Sequence, residues 1–193
     1  MSLIPAWQIG LWNAWILQAV LFLAMAVADL VEGKEGKERT KRAMQRLPFS
    51  KAHKLMAYST HVVIMPITVV YSIFLPLKLG TGWLYSGLAI FALGLVLSVM
   101  ATHSFATTPI GEPVTGGIYR VSRHPVYVSG FLAYLGIGLA CASWVMLLCA
   151  VLWIVLWCLV VPAEERFLVE RYGEAYREYI RRTPRWIGRP GTG

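Results

Sequence analysis

The chain has 193 residues, 57% of them apolar, with eight tryptophans and a formal charge of +8. Soluble domains are about 45–50% apolar, so the composition points to a membrane protein. The basic residues fall in blocks between apolar runs, which suits a chain facing anionic lipid and not nucleic acid.

The first apolar stretch runs from Trp7 to Ala28. It has no basic leader and is too long for a cleavable signal's core, so a membrane span is expected. A charged loop, Glu32–Arg42, follows and is expected to be solvated. The second stretch runs from Leu55 to Leu77 and contains His61 and Pro66. An intramembrane histidine is a functional candidate, and a neutral histidine bonded to a neighbouring helix is the competing reading. The third stretch, Trp83–Ala101, ends beside His103. The last runs from Val126 to Val161, too long for one span of ~20 residues. The "CASW" stretch at Cys141–Trp144 splits it into Val126–Ala142 and Trp144–Val161, a short antiparallel hairpin.

Five spans place the lysines and arginines consistently. Lys34, Lys37, Arg39, Lys41, Arg42, Arg46, Lys51 and Lys54 share one side with Arg120, Arg123 and the arginines after Val161; only Lys78 falls opposite. The positive-inside rule then puts the N-terminus outside and the C-terminus in the cytoplasm. The expected fold is all-α: one membrane domain over 1–193, with an N-terminal three-helix part (1–101) and a part carrying the chemistry (102–193). Cys141, Cys149 and Cys158 read as apolar packing residues. No metal-ligand spacing is present, so no metal is expected.

The segment "GGIYRVSRHPVY", Gly116–Tyr127, gathers Arg120, Arg123 and His124 just before Pro125. Proline favours a helix's first turn and biases the residue before it away from helix. The fourth span therefore starts near Pro125, with cations at its positive pole. Such a pole disfavours cations and favours anions. Either an anion is bound there, or the arginines meet lipid phosphate and obey the positive-inside rule. Opposite, Glu164 and Glu165 are expected just past the end of the fifth span, at its negative pole. Two readings follow: a salt bridge such as Arg123–Glu165 closing the hairpin, or a site for a zwitterion such as an amino-acid moiety. Beyond the glutamates, Glu165, Leu168, Tyr172, Tyr176 and Tyr179 share one face of an amphipathic cytoplasmic helix that Gly173 can interrupt. Its tyrosines either cover the site or anchor at the interface.

"GxYRxxRHPxY", followed after the hairpin by "EExxLxxxYGxxYxxY" and a Pro-Arg tail, resembles the isoprenylcysteine carboxyl methyltransferase family. The wider group includes phospholipid N-methyltransferases and, more distantly, sterol reductases. The resemblance covers Thr102–Ile187. It implies an integral membrane enzyme using S-adenosylmethionine, whose methionine end is a zwitterion. By the same resemblance, the cofactor contacts fall on Glu112, Pro113, Val114, Tyr119, His124, Pro125, Val126, Tyr127 and Glu164. Arg123 and Glu165 match motif positions and are the candidates for catalytic roles. The chain departs from the prenylcysteine enzymes at Val160, where those carry a substrate-associated arginine. The implied acceptor is a lipophilic small molecule or lipidated group. An ionised carboxylate acceptor would need no general base; an amine or thiol would need one, with Glu165 or His124 nearest. The alternatives are an NADPH-dependent membrane reductase and a non-enzymatic membrane packing or carrier protein.

Overall fold

The computed structural model describes residues 7–31, 55, 58–109 and 111–188. The basic loop of residues 34–54, the side chain of His61 and Arg189 lie outside the described residues. Among the described residues all regular structure is helical. Helix α1 spans Trp15–Val31. A π-helical turn, Thr60–Ile64, leads into α2, Met65–Ile73. Then come α3, Gly82–Thr107; a 3-10 turn, Gly117–Arg120; α4, Pro125–Ala140; α5, Trp144–Tyr172; and α6, Glu174–Arg182.

Helices α3 and α5, at 26 and 29 residues, are long and apolar enough to cross a membrane. At 1.5 Å per residue they reach roughly 40 Å, against a hydrocarbon core of about 30 Å. The other apolar helices are shorter. Leu93, Val96 and Val99 on α3, and Leu148, Val151, Val155 and Leu159 on α5, are exposed. So much contiguous apolar surface on outward helix faces is what lipid contact requires.

The two ends of the bundle differ. At one end, buried Asn13 donates to the carbonyls of Gln8 (2.6 Å) and Ile73 (2.7 Å). Ala14 N donates to Leu75 O, Leu77 N to Trp12 O and Lys78 N to Ala140 O. These bonds hold residues 7–14 out of the helix, so α1 begins at Trp15 and not at Trp7. In the second apolar stretch, Pro66 has no N–H to give Val62 O, and the ladder loosens into the π turn just before it.

Small residues let α3 and α4 meet backbone to backbone. A Cβ on Gly136 would lie 2.5 Å from Phe91 N and 2.7 Å from Gly87 O. One on Gly94 would lie 2.8 Å from Ala133 N. Packing this tight is the usual means of helix association in lipid, where apolar burial no longer drives it. The α4–α5 turn is as short as expected. Ser143 N bonds Gly138 O and Ala142 N bonds Leu139 O, closing α4 with Ala142 at φ 49° in the manner of a Schellman motif. Ser143 then caps α5 through Met146 N.

Two boundaries correct the reading from sequence. Helix α5 does not stop near Val161 but continues to Tyr172, carrying Pro162, Glu164 and Glu165 inside it. The glutamates are therefore not at a helix C-terminus, and the dipole repulsion expected there is absent. The amphipathic face past the glutamates is shared between two helices. Gly173, at φ 59°, turns the chain, a conformation with little cost for glycine. Tyr176 and Tyr179 then fold back on α6 against Ala101 and Tyr119, with Leu168 and Tyr172 of α5 packed on the same cluster.

Candidate active site

At the end of the bundle away from Asn13, α4 opens on His124. Its backbone (φ −130°, ψ 55°) is non-helical and its side chain makes no capping bond, as the following proline dictates. The imidazole is thus free to point across the hairpin instead of back at its own helix. Ser122 Oγ accepts from His124 N at 3.2 Å and donates to Arg185 O at 3.3 Å. Arg123 N donates to Pro184 O at 3.0 Å. The tail after α6 is thereby tied across the mouth of α4.

Glu165 faces this mouth from α5. Its Oε1 lies 3.1 Å from both His124 Nε2 and Arg123 Nη1. Its Oε2 accepts from Arg185 Nε at 3.1 Å and Nη2 at 2.7 Å. The carboxylate is 7% exposed. Burial alone would raise its pKa. The His124 and Arg185 hydrogen bonds and the Arg123 charge outweigh burial and bring it down to about 2. The Arg123–Glu165 ion pair, one of the two readings open from the sequence, is thus present, within a four-residue cluster.

Glu164, one residue earlier, is held differently. Tyr127 donates to its Oε2 at 2.9 Å, and His124 Nδ1 lies 3.8 Å from the same oxygen. Its Oε1 lies outside these contacts, and 19% of the side chain is exposed. The aromatic rings continue the line inward. His124 stacks on Tyr127 (centroids 5.6 Å), and Tyr127 stacks on Trp157 (4.0 Å, 11° between planes).

Of the residues singled out from sequence, Arg123, His124, Tyr127, Glu164 and Glu165 are joined by direct contacts, and Pro125 sets the α4 start that aims them. Tyr119 is buried beside them. Its carbonyl accepts from the Tyr179 hydroxyl at 2.6 Å, and burial, then the Glu164 charge, push its phenol well up. The Val126 side chain is exposed, which leaves its backbone N–H as the group it offers at the helix mouth. Glu112 is exposed and Pro113 half-buried on the loop before the 3-10 turn. Val114 packs on the Tyr119–Tyr176–Tyr179 cluster. Among the described residues, no hydrogen bond or ion pair joins Glu112 or Pro113 to the charged cluster. Arg120 is exposed. Val160, one helical turn before Glu164, is fully buried.

Sequence reasoning missed Arg185, Trp186 and Trp157. Trp186 packs on the His124 ring at 5.9 Å. The Pro-Arg tail did contain the signal for Arg185. What it lacked was any indication that the tail returns to α4, which depends on backbone bonds to Pro184 and Arg185.

Residues 83–175 match the family model described as phospholipid methyltransferase. The match runs from the first turn of α3 into the start of α6 and so includes Arg123, His124, Tyr127 and both glutamates, but not Arg185. A 77-residue stretch, 39% of the chain, is 38% identical to the cobalt-zinc-cadmium resistance protein CzcN of Cupriavidus metallidurans. The chain spans about a third of the length of that curated relative (35%). The family match agrees with the resemblance to membrane methyltransferases and favours neither a reductase nor a carrier.

Proposed function

We propose that this chain, whose residues 83–175 match the phospholipid methyltransferase family model, is an integral membrane methyltransferase that uses S-adenosylmethionine and methylates a lipophilic acceptor. In this reading it crosses the membrane five times, with the N-terminus outside and the site cytoplasmic. The observation that carries the reading is the meeting, inside the matched segment, of an uncapped α4 N-terminus bearing Arg123 and His124 with Glu164 on α5.

The residues present fit the cofactor's zwitterionic end. Arg123 Nε is buried without a hydrogen-bond partner, and such a group is costly to leave unmet. Together with the Val126 N–H in the first turn of α4, where Pro125 has no N–H and those of Tyr127 and Val128 bond His124 O, it suits a carboxylate. Glu164, with Oε1 uncommitted and partly exposed, suits an ammonium. Glu165 does not, because three cationic or histidine partners already occupy both its oxygens. When bound, S-adenosylmethionine supplies an electrophilic methyl group on a positively charged sulfur.

Arg123, the Val126 N–H and Glu164 would hold the cofactor with that methyl group presented to a nucleophilic acceptor. The chain's part is to hold both reactants in line and to exclude water. An acceptor that must lose a proton would find Glu165 a poor base, since its carboxylate is held down to about 2. His124, through Nδ1, is the better placed group. A lipophilic acceptor would enter from the bilayer between helices, and the polar cofactor from the cytoplasm.

The test is thermal unfolding in detergent with S-adenosylhomocysteine or NADPH added. A ligand that binds only the folded state at a hundredfold excess over Kd adds about 2.7 kcal/mol. A rise in Tm with S-adenosylhomocysteine is expected. A rise with NADPH alone would replace the methyltransferase reading with the reductase one.

A further inference from the structure

The Glu165 carboxylate is shared unequally. Arg123 and His124, adjacent at the mouth of α4, both use Oε1. Oε2 belongs to Arg185 alone, through two nitrogens. Arg185 lies beyond the family-matched segment, on a tail that is itself fixed. Thr183 is buried and its N–H bonds Tyr179 O; Pro184 O takes the Arg123 N–H; Arg185 O takes the Ser122 hydroxyl. The guanidinium thus arrives from a direction set by bonds to the backbone of the tail.

A glutamate's terminal torsion is soft and roughly two-fold, so a carboxylate gripped at one oxygen can turn. Until a ligand takes it, Arg123 Nε gives the carboxylate a reason to turn, because this nitrogen is buried without a partner beside an Nη1 already on Glu165. A side-on, two-bond grip by Arg123 would be the stronger pairing, and it would draw Oε1 away from His124. The rigid fork of Arg185 on Oε2 opposes that rotation. A lysine could restore the charge but not the plane, since its ammonium is a point charge on a flexible stem.

We propose that Arg185 is a positioning residue: its two bonds to Glu165 Oε2 keep Oε1 on His124 Nε2, which holds the imidazole in one tautomer with Nδ1 turned toward Glu164. This rests on the methyltransferase reading only for its consequence in catalysis; the tautomer itself can be observed without any reaction.

The full-length chain in detergent micelles, labelled with 15N-histidine, tests it, with His124→Gln identifying the His124 signal. Wild type should show a single Nε2–H tautomer. Both Arg185→Ala and Arg185→Lys should show averaged tautomers, although the lysine variant keeps the charge and should melt near wild type. In methyl transfer both should lose about tenfold to a hundredfold in kcat, the scale of a small misplacement, with KM for the cofactor little changed. A wild-type His124 already averaged, or an Arg185→Lys variant keeping the wild-type tautomer, overturns the proposal. Failure of wild type to bind S-adenosylhomocysteine would instead remove the methyltransferase reading and leave the tautomer result to be judged by itself.

Discussion

Replacing Glu165 by alanine puts the electrostatics of the cluster to the test. The carboxylate serves three partners of unequal worth. The Arg123 side chain is only 10% exposed, and breaking a buried pair by removing one member typically costs about 3–5 kcal/mol. Arg185 is 43% exposed, so its pair adds at most about 1 kcal/mol. The His124 bond adds about 0.5–1.5 kcal/mol. These terms share partners and do not simply add, so about 4 kcal/mol is expected, near 8–16 °C in Tm for a chain of this size. Glu164→Ala is the control. It loses one hydrogen bond from Tyr127 at a partly exposed carboxylate and should cost about 1 kcal/mol. The double variant Arg123→Met with Glu165→Met removes both buried charges and should recover most of the loss. The pH dependence has a definite sign. Glu165 is held down to about 2, below its ordinary value. Its contribution is therefore complete above the ordinary carboxylate range and is lost as pH falls through that range toward 2. Thermal melts in detergent between pH 7 and 2.5 measure this. If Glu165→Ala melts no lower than Glu164→Ala, or if the double variant is worse than the single one, the cluster is not held by buried charge and the reasoning fails.

The remaining predictions concern ligand, packing and acceptor. His124→Ala and Glu164→Ala should each weaken S-adenosylhomocysteine binding in calorimetry by at least about tenfold, on the scale of 2 kcal/mol or more for a buried charged contact, while staying monodisperse; unchanged binding by both would make the cluster purely structural. Gly136→Ala places a methyl 2.5 Å from Phe91 N and should cost about 1–3 kcal/mol by overpacking, measured as a drop in Tm; a neutral result would mean that α3 and α4 are not in backbone contact. With Val160 fully buried and no arginine at that position, a prenylcysteine carboxylate lacks its fixed cation, and an unpaired carboxylate is costly to desolvate. Tritiated-methyl transfer to farnesylcysteine should therefore be weaker than to phosphatidylethanolamine or a small lipophilic thiol, and efficient base-labile esterification of farnesylcysteine would show that Arg120 or Arg123 supplies the cation.

Much of this protein was legible in the chain because it depends on local chemistry. Apolar runs interrupted by charged blocks have few outcomes but a helical membrane bundle. Pro125 sets the start of α4 and the conformation of His124 by sterics that involve only neighbouring residues. The hairpin follows from an apolar run too long for one span, and antiparallel geometry then brings Arg123 opposite Glu165 before any coordinates are known. What depended on contacts distant in sequence was not legible. The start of α1 was decided by Asn13 reaching Ile73, and the glutamates' place inside α5 by a helix that the apolar pattern ended eleven residues early. Hydropathy reports where a span leaves the lipid, whereas a helix ends where its backbone bonds do, here at Gly173. The return of the tail, which brings Arg185 to Glu165 and Trp186 to His124, was decided by the Ser122 hydroxyl bonding Arg185 O and the Arg123 N–H bonding Pro184 O. Each donor and acceptor lie some sixty residues apart, and both acceptors are backbone carbonyls, which every residue carries, so no side-chain pattern could have announced them.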